Sequence, residues 1–149
     1  MGILRAKRGQ PDDAGSHFVE AVRLNPRFAE AQNGLGAHLM VQGKFDAALT
    51  HLHEAIRLKP DFAAAHNNLG SVLSKRGQVD EAIVEYNEAL RIQPTYAEAH
   101  INLGVLLSNL GRTDDAIGHF TEVLRFNSEN PSARAWLSSL TSRTQRVPK

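Results

Sequence analysis

Apolar residues along this chain fall at the three-and-four spacing of helices rather than the alternation of strands. Ala82, Ile83, Tyr86, Ala89 and Leu90 make one such stripe, and the stripe returns at a fixed distance. Ala14, Ala48, Ala82 and Ala116 stand 34 residues apart, as do Phe18, Leu52, Tyr86 and Phe120. Small residues in the first column let a neighbouring helix approach, and large ones in the second fill the space beside it, which predicts interlocking helix layers. Other columns keep the same period: Leu35, Leu69, Leu103 and Leu137; Gly2, Gly36, Gly70 and Gly104; Ala21, Ala55 and Ala89; Pro26, Pro60 and Pro94. A period shared by small, large and turn-forming positions predicts helix pairs stacked so that each buries its apolar face on its neighbours.

The punctuation between helices keeps the period too. Gly9, Gly43, Gly77 and Gly111 stand where the first helix of each pair must stop, a place where glycine takes the left-handed backbone most cheaply. Three residues later, Asp12, Asp46, Asp80 and Asp114 are expected to cap the second helix. Carboxylates at equivalent edges of successive repeats, about 10 Å apart by helix packing, do not make an acid–base pair. Glu20, Glu54, Glu88 and Glu122 each precede an arginine (Arg23, Arg57, Arg91, Arg125) by three positions, which predicts ion pairs on a solvated face.

In this register the repeats run 29–62, 63–96 and 97–130, after a truncated first repeat at 1–28. Met1 falls on the Leu35 position, so the first helix is expected to begin short, either frayed or cut from a longer array. Pro131 opens a last helix, 131–142. Its Ala133, Trp136, Leu137 and Leu140 form one stripe, with Ser132, Arg134, Ser138, Ser139 and Ser142 facing away, which is the makeup of a solubilising cap. Residues 143–149 are read as a flexible basic tail.

Composition removes several functional classes and fits one small domain. In 149 residues, 17 Lys and Arg balance 16 Asp and Glu, so no broad basic face serves nucleic acid or an anionic membrane. There is no cysteine, hence no disulfide, thiolate metal site or cysteine nucleophile. No apolar run approaches the roughly 18 residues of a membrane span, and MGILRAKRGQ lacks the apolar centre of a signal peptide, so a cytoplasmic protein is expected. Seven histidines invite a metal reading. His51 and His53 point about 200° apart on one helix. The columns His17, His51, His119 and His66, His100 repeat at about 10 Å, so no metal site is expected. With no HExxH, phosphate loop or GxSxG present, no catalytic residue, no cofactor and no enzymatic activity are expected.

The spacing of Leu69-Gly70, Gly77, Ala82, Tyr86, Ala89 and Pro94 resembles the tetratricopeptide repeat, a 34-residue helix-turn-helix, over nearly the whole chain. The resemblance implies an all-α fold: a right-handed superhelical α–α solenoid of about four repeats plus a C-terminal capping helix, its first helices lining a concave groove. It implies that Asn33, Ala37 and Met40 of repeat two face that groove, beside Glu30 and Gly34. From repeat three come Asn67, Asn68, Ser71, Ser74 and Lys75, with Ala64. From repeat four come Ile101, Asn102, Val105, Ser108 and Asn109, with Glu98. An asparagine side chain both donates to and accepts from a peptide backbone. The implied function is therefore a non-enzymatic scaffold that holds a peptide segment of a partner protein, with specificity from pockets near Met40, Ile101 and Val105.

Two branches of the family bear on these residues. Chaperone-binding members grip an acidic C-terminus with Lys, Arg and Asn. The corresponding Asn33, Ala37, Asn68, Val105 and Asn109 carry no cation, and a shift of one repeat supplies only Lys75. The repeat region of protein O-GlcNAc transferases places asparagine before the leucine of each first helix. Asn68-Leu69 and Asn102-Leu103 resemble that pattern and Asn33-Gly34-Leu35 departs from it. Two other readings stay open: a substrate-presenting repeat region of a larger enzyme such as a glycosyltransferase, and a module that self-associates weakly through its uncapped first repeat.

Overall fold

A computed structural model describes residues 11–144, with side chains from 15 to 142. Among the described residues every regular element is an α-helix: α1 (Pro11–Leu24), α2 (Ala29–Val41), α3 (Phe45–Leu58), α4 (Ala63–Lys75), α5 (Val79–Ile92), α6 (Ala97–Asn109), α7 (Thr113–Phe126) and α8 (Pro131–Thr144). The last helix runs to Thr144, two residues into the tail expected from 143; the helix expected ahead of Gly9, the Gly9 stop, the Asp12 and Ala14 side chains, the uncapped first-repeat surface and the rest of that tail, 145–149, lie outside the described residues. None of the described helices is long and apolar enough to cross a membrane.

Each first helix of 13 residues turns into a second of 14 through one glycine. Gly43, Gly77 and Gly111 have φ of +73°, +78° and +77°. That left-handed residue brings the next amide back to the carbonyl five residues earlier: Lys44 N–H donates to Leu39, Gln78 to Leu73 and Arg112 to Leu107, each at 2.9 Å. A Cβ at any of the three would meet nothing within 4 Å, so glycine is required by backbone conformation and not by crowding.

The same turn corrects the expected capping. The residues preceding α3, α5 and α7 are Lys44, Gln78 and Arg112, and none makes a side-chain cap bond. Because the turn passes into the next helix within two residues of the glycine, Asp46, Asp80 and Asp114 sit inside the first turn. There their charge favours the positive end of the helix.

The chain divides at Asp61 and Phe62 into two compact units, the first holding α1 to α3 and the second α4 to α8. This departs from the single domain read from composition. Repeats interact chiefly with near neighbours, so a division falls in a turn without splitting a helix pair. In the first unit α2 crosses α3 at Gly36, where an added Cβ would lie 2.6 Å from Leu52 Cγ and 3.3 Å from the Ala48 carbonyl. In the second, Gly70 of α4 meets Tyr86 and the Ala82 carbonyl of α5, and Gly104 of α6 meets the Phe120 ring of α7. Glycine opposite alanine is what lets these helix axes come close. Leu52, Tyr86 and Phe120 are buried beside the crossings, each worth roughly 1.5–3 kcal/mol of apolar burial. α8 closes the second unit: Ala133 and Leu140 are buried, and the Trp136 ring stacks on Phe120 at 5.8 Å with 5° between planes.

The Glu–Arg pairs form on the solvated face, with Arg23–Glu20 and Arg91–Glu88 at 2.7 Å and Arg57–Glu54 and Arg125–Glu122 at 2.6 Å. Hydrogen bonding from the arginine holds Glu20, Glu54 and Glu88 below the usual carboxylate value. The pairs are open to water and screened, so they order a surface more than they stabilise a fold.

Candidate functional site

Within the second unit, Ser71, Ser74 and Lys75 occupy one face of α4, and Asn102, Val105 and Asn109 the matching face of α6. Spacings of three and four residues put each set on a single stripe. Together they wall a depression of about 220 Å³ whose floor is Leu106 and the Tyr86 ring from α5. Lys75 and Asn109 are exposed at the rim, while Leu106 and Tyr86 are buried. Lys75 makes no ion pair among the described residues, unlike the arginines of the solvated face.

The polar groups under the rim hold one another. Tyr86 donates its hydroxyl to Ser71 Oγ at 3.1 Å, and Ser71 donates to the Asn67 carbonyl at 3.0 Å. Asn102 Nδ2 donates to Asn67 Oδ1 at 3.0 Å and lies 3.5 Å from Ser71 Oγ. Asn67 also hydrogen-bonds the Tyr96 hydroxyl, which in turn donates to Glu98 at 3.0 Å. Burial first, and then the Glu98 charge, push the Tyr96 hydroxyl up to about 12. Asn67 is only 3% exposed. It is a strut between α4 and α6 and not a groove-lining amide, which corrects its sequence-based placement: one residue's rotation about the helix turns it from the open face to the contact.

Of the other expected positions, Asn68, Ile101 and Ser108 are half-buried on α4 and α6 outside the depression. Asn33, Ala37 and Met40 are half-buried on α2 and belong to the first unit. Tyr86 and Leu106 were not among the residues expected at the site. A signal for Tyr86 exists in the repeat columns: Ala37 with Leu52 and Val105 with Phe120 are apolar pairs, whereas Ser71 with Tyr86 carries a hydroxyl at both positions.

A second recurring arrangement joins each first helix to the second helix of its own pair. In the first unit Gln32 Nε2 donates to the Pro26 carbonyl at 2.8 Å and Gln32 Oε1 accepts from His51 Nδ1 at 2.7 Å. In the second, His66 Nδ1 meets Glu85 at 2.7 Å. His100 Nε2 donates to the Pro94 carbonyl at 2.9 Å, and its Nδ1 lies 3.0 Å from Nδ1 of His119. The separation is 19 residues each time, so reading histidines down their columns misses it. Burial holds His51 below the usual imidazole value. Among the described residues no three His, Asp or Glu side chains gather as ligands for a metal ion.

Glycine-turned helix pairs joined at glycine–alanine crossings define an α-hairpin repeat protein. Sequence models of the tetratricopeptide repeat match residues 1–43, 38–77, 70–111 and 97–130, and the chain belongs to that family. The crystal structure of MamA has the same fold, with a TM-score of 0.77 at 23% identity over 97% of this chain and 86% of that one. A second MamA crystal structure gives 0.74 at 21% identity over 91% and 74%. A search of curated proteins finds no significant match. Tetratricopeptide repeats generally mediate protein–protein interaction, and proteins of this fold are typically non-enzymatic scaffolds. The resemblance to the O-GlcNAc transferase repeat region finds no support among these matches.

Proposed function

We propose that the depression between α4 and α6 receives an extended peptide segment of a partner protein, and that the chain acts as a scaffold without catalysis of its own. The observation that carries this reading is the depression itself, with an apolar floor under a rim of hydroxyl, amide and ammonium groups. Asn109 and Lys75 are exposed there and free to turn toward a ligand, while Asn102 and Ser71 are already fixed by Asn67. A pre-ordered wall lowers the entropy lost on binding. The amides can both donate to and accept from a peptide backbone whatever its side chains.

Selection from a random peptide library against the whole chain, followed by calorimetry of the recovered peptides, tests this. Ser74→Trp and Asn109→Trp fill the rim and are expected to weaken binding at least tenfold with the unfolding midpoint unchanged. Val84→Trp, at a residue 63% exposed on α5, is expected to bind like wild type. Peptides that bind the rim-filled variants undiminished would place recognition elsewhere.

A further inference from the structure

The His100–His119 contact forms one wall of a second depression, of about 510 Å³, bordered by α5, α6 and α7. A carbonyl oxygen only accepts, so the bond to Pro94 fixes a proton on His100 Nε2. With both rings neutral, His100 Nδ1 is then a bare lone pair, and His119 must donate to it from Nδ1–H. His119 Nε2 is left as the acceptor that takes the next proton. That proton leaves the bond in place whichever ring then carries the charge, because one proton still lies between the two Nδ1 atoms, donated by one ring and accepted by the other. A second has nowhere to go on the shared line, since two imidazoliums would set one N–H against another at 3.0 Å.

We propose that His100 and His119 form a proton-operated latch between α6 and α7, closed with no added proton or with one and forced open by two. The equivalent pair in repeat three has the opposite response. Glu85 faces His66, so protonating that imidazole turns a hydrogen bond into an ion pair.

The surroundings supply little to offset the second charge. On α7, Asp115 stands one turn before His119 but is engaged by Arg112 at 2.8 Å, and Glu122 by Arg125 at 2.6 Å; Asp114 borders the depression. From α5 the facing residues are Ile83 and Asn87, which do not titrate, and the Phe126 ring of α7 lies 6.1 Å from that of His100. Burial first, then the His100 charge, hold His119 below the ordinary imidazole value of 6.5, against the opposing pull of Asp115. A histidine lowered on folding is protonated first in the unfolded chain. The contribution of His119 to stability is therefore whole above about pH 6.5 and declines as pH falls below it.

Two measurements on the full chain decide the matter. Ring nitrogen spectra at about pH 8 are expected to show His100 as the Nε2–H tautomer and His119 as the less common Nδ1–H tautomer. An Nε2–H tautomer at His119 would overturn the latch. Denaturant unfolding then compares wild type, His119→Gln and His119→Glu at about pH 8 and about pH 5. Wild type is expected to lose roughly three- to tenfold more in folding equilibrium constant on acidification than His119→Gln. His119→Glu, which copies the His66–Glu85 arrangement, is expected to lose less than either. The same loss in all three also overturns the proposal, and the spectra decide it should a variant fail to fold.

Discussion

Asn102 donates from Nδ2 to Oδ1 of Asn67 at 3.0 Å, tying α6 to α4 beneath the candidate site. Because Asn67 is buried and its amide also meets Tyr96, removing it takes a hydrogen-bond partner from two half-buried side chains, Asn102 and Tyr96. Asn67→Ala is expected to destabilise the chain by about 1–3 kcal/mol in urea unfolding. Asn109→Ala, at the exposed rim, is expected to leave the midpoint unchanged.

Ser71 and Tyr86 offer a cleaner test of how buried polarity acts. Tyr86→Phe strips the hydroxyl donor from Ser71 and is expected to cost about 1 kcal/mol. The double variant Tyr86→Phe/Ser71→Ala leaves apolar residues at both positions, as Val105 and Phe120 do one repeat later. It is expected to cost less than the sum of the single changes, measured as a double-mutant cycle.

Three glycines separate three physical causes. Gly77 needs its positive φ of +78° and has open space around it, so Gly77→Ala is expected to cost about 1–2 kcal/mol from backbone alone. Gly70 has an ordinary φ, but its Cβ would lie 2.9 Å from the Tyr86 ring and 3.2 Å from the Ala82 carbonyl. Gly70→Ala must part α4 from α5 and is expected to cost about 1–3 kcal/mol. Gly118 lies inside α7 with neither constraint, so Gly118→Ala is expected to stabilise by about 0.5–1 kcal/mol. Thermal and urea melts of the three variants check the order.

Leu69 is 2% exposed on α4. Leu69→Ala is expected to cost about 2–5 kcal/mol, measured by denaturant unfolding.

Much of this was legible in the residues, because a repeat states each rule several times. The helix pairs and the left-handed Gly43, Gly77 and Gly111 follow from columns that agree with one another. What the columns hide is whatever runs across them. Asn67 and Asn68 are neighbours in sequence, yet about 100° of helical rotation sends one into the α4–α6 contact. The aspartates fall inside the first turn and not at the cap, because the turn after each glycine is tighter than a three-residue spacing suggests. His100 and His119 stand in different columns, and only the fold of one helix pair brings their rings together. The division at Asp61 leaves no mark, since Pro60 looks like Pro26 and Pro94.

The central claim, that the α4–α6 face of the second unit receives a peptide, is tested most directly by titrating a library-selected peptide into ¹⁵N-labelled chain and following backbone amides. The account predicts that Ser71, Ser74, Lys75, Val105 and Asn109 shift together with one saturation curve while Val84 and Gly118 stay fixed. Shifts confined to α5, α7 or the first unit would contradict it.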